Sequence, residues 1–382
     1  MTKHYRSLDG LRGIAALIVV IYHSMIATPR FAEIRLRPGE QVLDPLEIVV
    51  VATPLRLLWA GSEAVIVFFV LSGFVLSLPF VRRRNYPGLY FYPRRMLRLY
   101  LPAIASLGLS FLLAMAVPRV FIPGASMWVN EHAGLPNGPL QVLMGSSLMY
   151  GWGGLNLSLW SLRWEVLFSV SLAAFLWFAR ENRAAWWAKA TVGFAVCILW
   201  PLSNMFYPNG VYIVVFLFGV LMAQHIDLLN SWAARISPVG WLGLVLLAAA
   251  LLTYSGILVG VHAQNLGVLL TLWVGLASVG AVIVVFASMY WAPLVRALES
   301  PVAQWLGLVC FSLYLIQDPV VVSLAELTGG LAPPLLMVPL GIASCLAVSH
   351  VFYLLVERPS HRVSRSFLKK REQARALSAE AA

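Results

Sequence analysis

Charge is scarce in this sequence. Only 11% of its 382 residues are Asp, Glu, Lys or Arg, 60% are hydrophobic, and the mean hydropathy is +0.82. A soluble domain carries roughly a quarter charged residues, so this composition excludes a water-soluble enzyme and leaves an integral membrane protein. Cysteine is nearly missing as well. Cys197, Cys310 and Cys345 all fall inside apolar runs, which argues for packing and against a disulfide framework or a metal site. No basic groove with interleaved aromatics is present, so the net charge of +11 points to an anionic lipid surface or an anionic cytosolic ligand and not to nucleic acid. The first apolar run lacks a small-residue cleavage site and reads as a retained helix. No composition break marks a second soluble domain, and no repeat of fixed period appears.

What the chain does have is a succession of apolar runs. Crossing a bilayer takes about 20 apolar residues, and ten runs qualify: 11–27, 58–80, 99–118, 159–179, 188–206, 210–226, 240–260, 266–288, 303–324 and 334–356. Pro102, Pro201 and Pro339 fall inside three of them, as packed membrane helices allow. The stretch "PLQVLMGSSLMYGW", Pro139 to Trp152, is too short to span and reads as interfacial or re-entrant within the long polar loop 119–158. With the N-terminus inside, 21 of the 27 Lys and Arg fall on the cytoplasmic side; only Arg30, Arg35, Arg37, Arg56, Arg119 and Arg163 fall opposite. That asymmetry supports the alternation. The expectation is an all-α polytopic bundle of about ten transmembrane helices with both termini cytoplasmic. It forms one transmembrane domain over 1–360, with a basic, flexible cytoplasmic tail over 361–382.

Ionisable groups inside such spans draw functional attention. The stretch "SLDGLRGIAALIVVIYHS" (Ser7 to Ser24) carries two, Arg12 and His23, eleven residues apart. At about 100° per residue they lie roughly 20° from alignment on one stripe, and about 16 Å apart along the axis. Arg12 also reads as a snorkelling anchor, and His23 as a partner in an interhelical hydrogen bond. At the predicted depth of His23 lie Glu63, Arg163, Glu165, Gln317 and Asp318. Arg56 and Glu63 sit two turns apart and are able to pair structurally.

Six blocks, in order, carry a resemblance: "LDGLRGIAALIVVIYH", "VFFVLSGFVLS", "YPRRMLRLYLP", "LWSLRWEVLF", "SLYLIQDP" and "LVERP". Over about residues 5–360 the chain resembles the acyltransferase-3 family of membrane acyltransferases. The resemblance implies transfer of an acyl group, most often acetyl, from a coenzyme A thioester to a hydroxyl of a sugar or other envelope or small-molecule acceptor. Acyl-CoA is then a co-substrate, and no permanently bound cofactor or metal is implied. Arg12 and His23 match the family's Arg and His of the first helix, Arg95 and Arg98 its basic motif, and Glu165 its acidic residue. Gln317 stands where the family's ninth-helix block usually has a His, and Gln cannot titrate.

The residue types argue the same chemistry. A hydroxyl attacking a thioester needs a base, and a histidine of ordinary pKa near ~6.5 serves at neutral pH. His23 is the expected base, with Glu165 fixing its tautomer. Arg12, Arg95 and Arg98 are the expected clamp for the donor's phosphates, because a guanidinium grips phosphate oxygens bidentately. A pantetheine arm threading along the first helix then delivers the thioester to His23. Ser72, Glu63, Arg163, Tyr314 and Gln317 are candidate acceptor or pocket-lining residues, although a Ser-Gly pair such as Ser72 also serves close helix packing. The partners expected are an acyl-CoA donor, a carbohydrate or lipid-linked acceptor and the lipids of a bacterial inner membrane. A transporter or flippase for an amphipathic substrate, or a non-catalytic acceptor-binding relative, are the rival readings.

Overall fold

The computed structural model describes residues 5–82, 88–135, 138–149, 154–180, 185–200, 208–260, 269 and 271–364; these form helices and connecting turns, with no strand among them. Lipid offers no partner to a peptide group, so a chain this apolar satisfies its backbone inside helices. The first half runs α1 (Arg6–Ile26), α2 (Pro29–Leu36), α3 (Pro45–Ala52), a 3-10 turn (Pro54–Trp59), α4 (Gly61–Arg82), α5 (Gly88–Ala116), α6 (Met127–Ala133), α7 (Pro139–Gly145) and α8 (Trp160–Phe178). It continues with α9 (Trp186–Leu199), α10 (Tyr212–Gln224), α11 (Ile226–Ala233), α12 (Pro238–Gly260), α13 (Trp273–Tyr290), α14 (Ala292–Leu298), α15 (Pro301–Leu327) and α16 (Pro334–Phe352), then a π-helical turn over Tyr353–Glu357.

Among the described residues eight helices are long and apolar enough to cross a membrane: α1, α4, α5, α8, α12, α13, α15 and α16. Each of the ten runs read from the sequence contains a helix, but two fall short of a plain span. The run 210–226 is broken, because α10 ends at Gln224 and α11 leaves at 73° to it, so the pair counts as at most a ninth span. The run 188–206 yields α9, only 14 residues long; Pro201 and its neighbours to 207 lie outside the described residues. Pro102 and Pro339 sit inside α5 and α16. Of the short piece expected over Pro139 to Trp152 the described residues form α7, and the same loop holds a further short helix, α6, that the sequence did not announce.

α1 is the axis of the bundle. It packs on α15, α4 and α16, and α4 packs in turn on α10 and α13. Glycine sets the closest of these contacts: a Cβ on Gly13 would fall 2.7 Å from Leu306 Cβ, and one on Gly307 would fall 2.8 Å from the Asp9 carbonyl carbon. α1 and α15 therefore meet almost backbone to backbone, the small-residue packing that substitutes in membranes for a hydrophobic driving force. The loop after α5 folds back onto this core. Ser126 caps α6, its Oγ accepting from Trp128 N at 3.2 Å while donating to the Ile26 carbonyl at 2.5 Å.

Candidate active site

A cavity of about 450 Å³ lies between α1, α4, α5, α8 and α15. Arg12, Ser72, Arg95, Arg98, Glu165 and Tyr314 line it, so the fold gathers residues from five helices that the sequence had singled out separately. Gln304, another lining residue, donates to the carbonyls of Arg6 and Leu298, which puts the mouth at the end of the bundle where α1 begins. Val65, Phe68 and Tyr314 form the deep wall.

The three arginines differ in what they hold. Arg95 is ion-paired with Glu165 through Nη2 and Oε2, and its Nε donates to Ser169 Oγ at 3.3 Å. Ser72 Oγ donates to the other Glu165 oxygen at 2.5 Å. Arg12 and Arg98 make no hydrogen bond or ion pair with a described residue. Arg12 and Arg98 thus face a cavity that also holds Asp9, Glu165 and Glu357, of which Arg95 pairs with Glu165 and His361 lies 3.8 Å from Glu357.

This geometry corrects two expectations. Glu165 does not hold the His23 tautomer, because Ser72 and Arg95 take both of its oxygens. The first helix also offers no channel between Arg12 and His23: Ala15, Ala16, Val19 and Val20 are at most 4% exposed, packed against neighbouring helices. The open space runs instead along α4 and α15.

His23 is outside that cavity, on the next stretch of α1. Its Nδ1 lies 3.1 Å from the Val19 carbonyl oxygen. A carbonyl only accepts, so Nδ1 carries the proton and Nε2 presents a lone pair, the tautomer a general base needs. Asp318, His132 and Gln317 are its polar neighbours. His132, on α6, was not legible as a site residue: it sits in a loop where a histidine is unremarkable, and only the fold-back of α6 buries it completely. Its Nδ1 lies 2.8 Å from the Trp128 carbonyl, and its Nε2 faces Asp318 Oδ1 at 3.4 Å. The other Asp318 oxygen accepts from Leu157 N at 3.0 Å. Arg119 secures the same loop, donating to the carbonyls of Gly154 at 2.5 Å and Leu155 at 2.9 Å, and burial holds its pKa below the ordinary arginine range.

A run of hydrogen bonds links the two regions. Tyr314 OH lies 2.6 Å from Ser161 Oγ and donates to the Ser158 carbonyl at 3.2 Å; Gln317 Nε2 donates to Ser158 Oγ at 2.5 Å. Of the remaining candidates, Arg163 donates to the Met149 carbonyl, away from the cavity. Glu63 is elsewhere too. It faces Arg56 at 3.9 Å, a pairing reached through the 3-10 turn and not along one helix face. All three cysteines are free thiols.

The family model for an acyltransferase domain, acyltransferase-3, matches residues 5–354. The chain belongs to the acyltransferase-3 family. No curated protein matches it, and no solved structure does. Family membership makes this integral membrane protein an acyltransferase, and not one that moves amino-acyl groups, which displaces the transporter reading.

Proposed function

We propose that this acyltransferase takes an acyl group, acetyl in the first instance, from a coenzyme A thioester held in the 450 Å³ cavity and passes it to a hydroxyl of a glycan, glycolipid or small-molecule acceptor. The observation that carries this reading is the pair of guanidiniums, Arg12 and Arg98, that face the cavity with no hydrogen bond or ion pair to a described residue. Such groups call for an anion. The asymmetry of Lys and Arg favours a cytoplasmic mouth for the cavity, the side from which the nucleotide phosphates of coenzyme A would arrive. Arg95 is assigned a different task from the one its motif implies: paired with Glu165, it shapes the wall beside Ser72.

In the proposed reaction the acceptor oxygen attacks the thioester carbonyl carbon as its proton passes to His23 Nε2. The new C–O bond forms, the C–S bond breaks and coenzyme A leaves as a thiolate, which the proton then neutralises. The acyl group must pass Tyr314 and Phe68 to reach His23, so their wall divides the donor side from the acceptor side. The acceptor class fits a bacterial inner membrane.

Titration of purified protein with coenzyme A tests the reading. A charge-assisted hydrogen bond contributes roughly 1.5–3 kcal/mol, so Arg98→Ala and Arg12→Ala should each weaken donor binding by about ten- to a hundredfold. Arg98→Lys should recover only part, lacking the planar fork. Unchanged affinity in both Ala variants would sink the proposal.

A further inference from the structure

A second set of charged groups lies towards the other end of α1, between α2, the 3-10 turn, α4 and α12. Arg56 is 3% exposed, stacked 4.0 Å over the Trp59 ring. Its Nη2 is 3.9 Å from Glu63 Oε1, too long for a hydrogen bond, and its Nε has no partner among the described residues. Arg35 donates from Nη2 to Ser62 Oγ at 3.0 Å, and its buried Nε is likewise unpartnered. Glu63, 2% exposed, accepts from Ser255 Oγ at 3.2 Å and Trp273 Nε1 at 3.0 Å through Oε1 alone; Oε2 has no partner among the described residues.

The charges do not balance, since two guanidiniums face one carboxylate. Burial pulls the Arg56 pKa below its ordinary range, Glu63 opposes that, and the charge of Arg35 adds to it. Between the arginines is a cavity of about 40 Å³, walled by Trp59, Ser255, Gly256 and apolar side chains. α12 comes this close because residue 256 is glycine: a Cβ there would lie 3.2 Å from Arg56 Cδ and Nε. The space suits one small ion and is too small for a sugar or a nucleotide. Water would fill it, but water leaves the excess charge uncompensated, and uncompensated buried charge is costly.

We infer that Arg35 and Arg56 form a binding site for a small monoanion, a carboxylate or a halide, distinct from the donor cavity. The site stands whether or not coenzyme A is the donor. Its position gives it a bearing on the chemistry: the Arg35 guanidinium lies 6.0 Å from the centre of the Tyr22 ring, and that ring lies 5.1 Å from the His23 ring. A carboxylate on an acceptor and a free chloride share the chemistry that would fill it.

The test is the thermal unfolding midpoint of the full chain in detergent, titrated with sodium chloride and with sodium acetate while a bulky sulfonate holds ionic strength constant. A saturable rise is expected, absent in Arg56→Gln and in Arg35→Gln. Glu63→Gln, which removes the one opposing charge, should saturate at several-fold lower anion concentration, and this conservative variant keeps the test open if an arginine variant does not fold. Saturation by acetate at a tenfold lower concentration than chloride identifies the occupant as a carboxylate, and the reverse order identifies a halide. The absence of a saturable effect in the unaltered protein, its survival in both arginine variants, or weaker anion binding in Glu63→Gln each overturns the site.

Discussion

At the scale of single residues, the proposed base is set up by one backbone contact. Because the Val19 carbonyl fixes the proton on His23 Nδ1, the ring is ready to accept at Nε2 without help from a carboxylate. His23→Asn should therefore lower transfer by about 10²–10⁴-fold, the usual contribution of a general base, and leave coenzyme A affinity unchanged, since His23 is outside the donor cavity. Paired turnover and binding measurements check this; near-normal turnover removes His23 from the role. Much of the candidate cavity's lining was legible in the sequence because charge stands out in an apolar run: Arg12, Arg95, Arg98 and Glu165, each read from the sequence, meet in one cavity. What was not legible was facing. Span depth read from the sequence puts Glu165 and His23 on a similar level, but in the fold Glu165 meets Arg95 and Ser72 instead. His132 escaped for the opposite reason, being an ordinary residue in a polar loop until α6 folds under Ile26.

At the scale of elements, hydropathy placed every apolar run but not the break between α10 and α11. That bend of 73° falls at His225, where no proline or glycine announces it. The short helices between α1 and α4 depend on polar contacts that hydropathy does not register. Arg30 grips Glu47 with two hydrogen bonds, Nε to Oε1 at 2.6 Å and Nη2 to Oε2 at 2.7 Å, tying α2 to α3. Asp44 and Glu47 close a capping box on α3. The hydrogen bond from Arg30 holds the Glu47 pKa below its ordinary value near 4.5. A carboxylate whose folded pKa is depressed contributes stability above its unfolded pKa and loses it as the pH falls through the folded one. Hydrogen exchange should thus show α3 amides losing protection as the pH is lowered from about 5, and the Glu47→Gln protein should lack that dependence. An equal acid response in both proteins would remove the clasp as its cause. Asp44→Ala should cost about 1 kcal/mol through loss of the cap, read as faster exchange in the same helix.

At the scale of the whole molecule, the proposed reaction makes the wall between the cavity and His23 the element that would decide whether a thioester reaches an acceptor or water. Tyr314 forms that wall with Phe68, their rings 5.9 Å apart and edge to face. The ring is oriented by its hydroxyl, bonded to Ser161 Oγ and to the Ser158 carbonyl, while Gln317 holds the same serine from the His23 side. One helical turn of α15 therefore carries both the stop at the end of the cavity and a neighbour of the base. Tyr314→Phe keeps the aromatic volume and removes the two hydrogen bonds, each contributing roughly 1 kcal/mol, so the wall should open about thirty times more often. Water then gains the access that closure denies it. The expected result is that thioester hydrolysis without acceptor rises by about thirtyfold in the Tyr314→Phe protein while its affinity for coenzyme A stays the same. Release of free thiol, followed with and without acceptor, measures it. Should hydrolysis stay at the level of the unaltered protein while transfer falls, Tyr314 would have to act on the acceptor side and not as a barrier, and the donor and acceptor would meet by another route past α4.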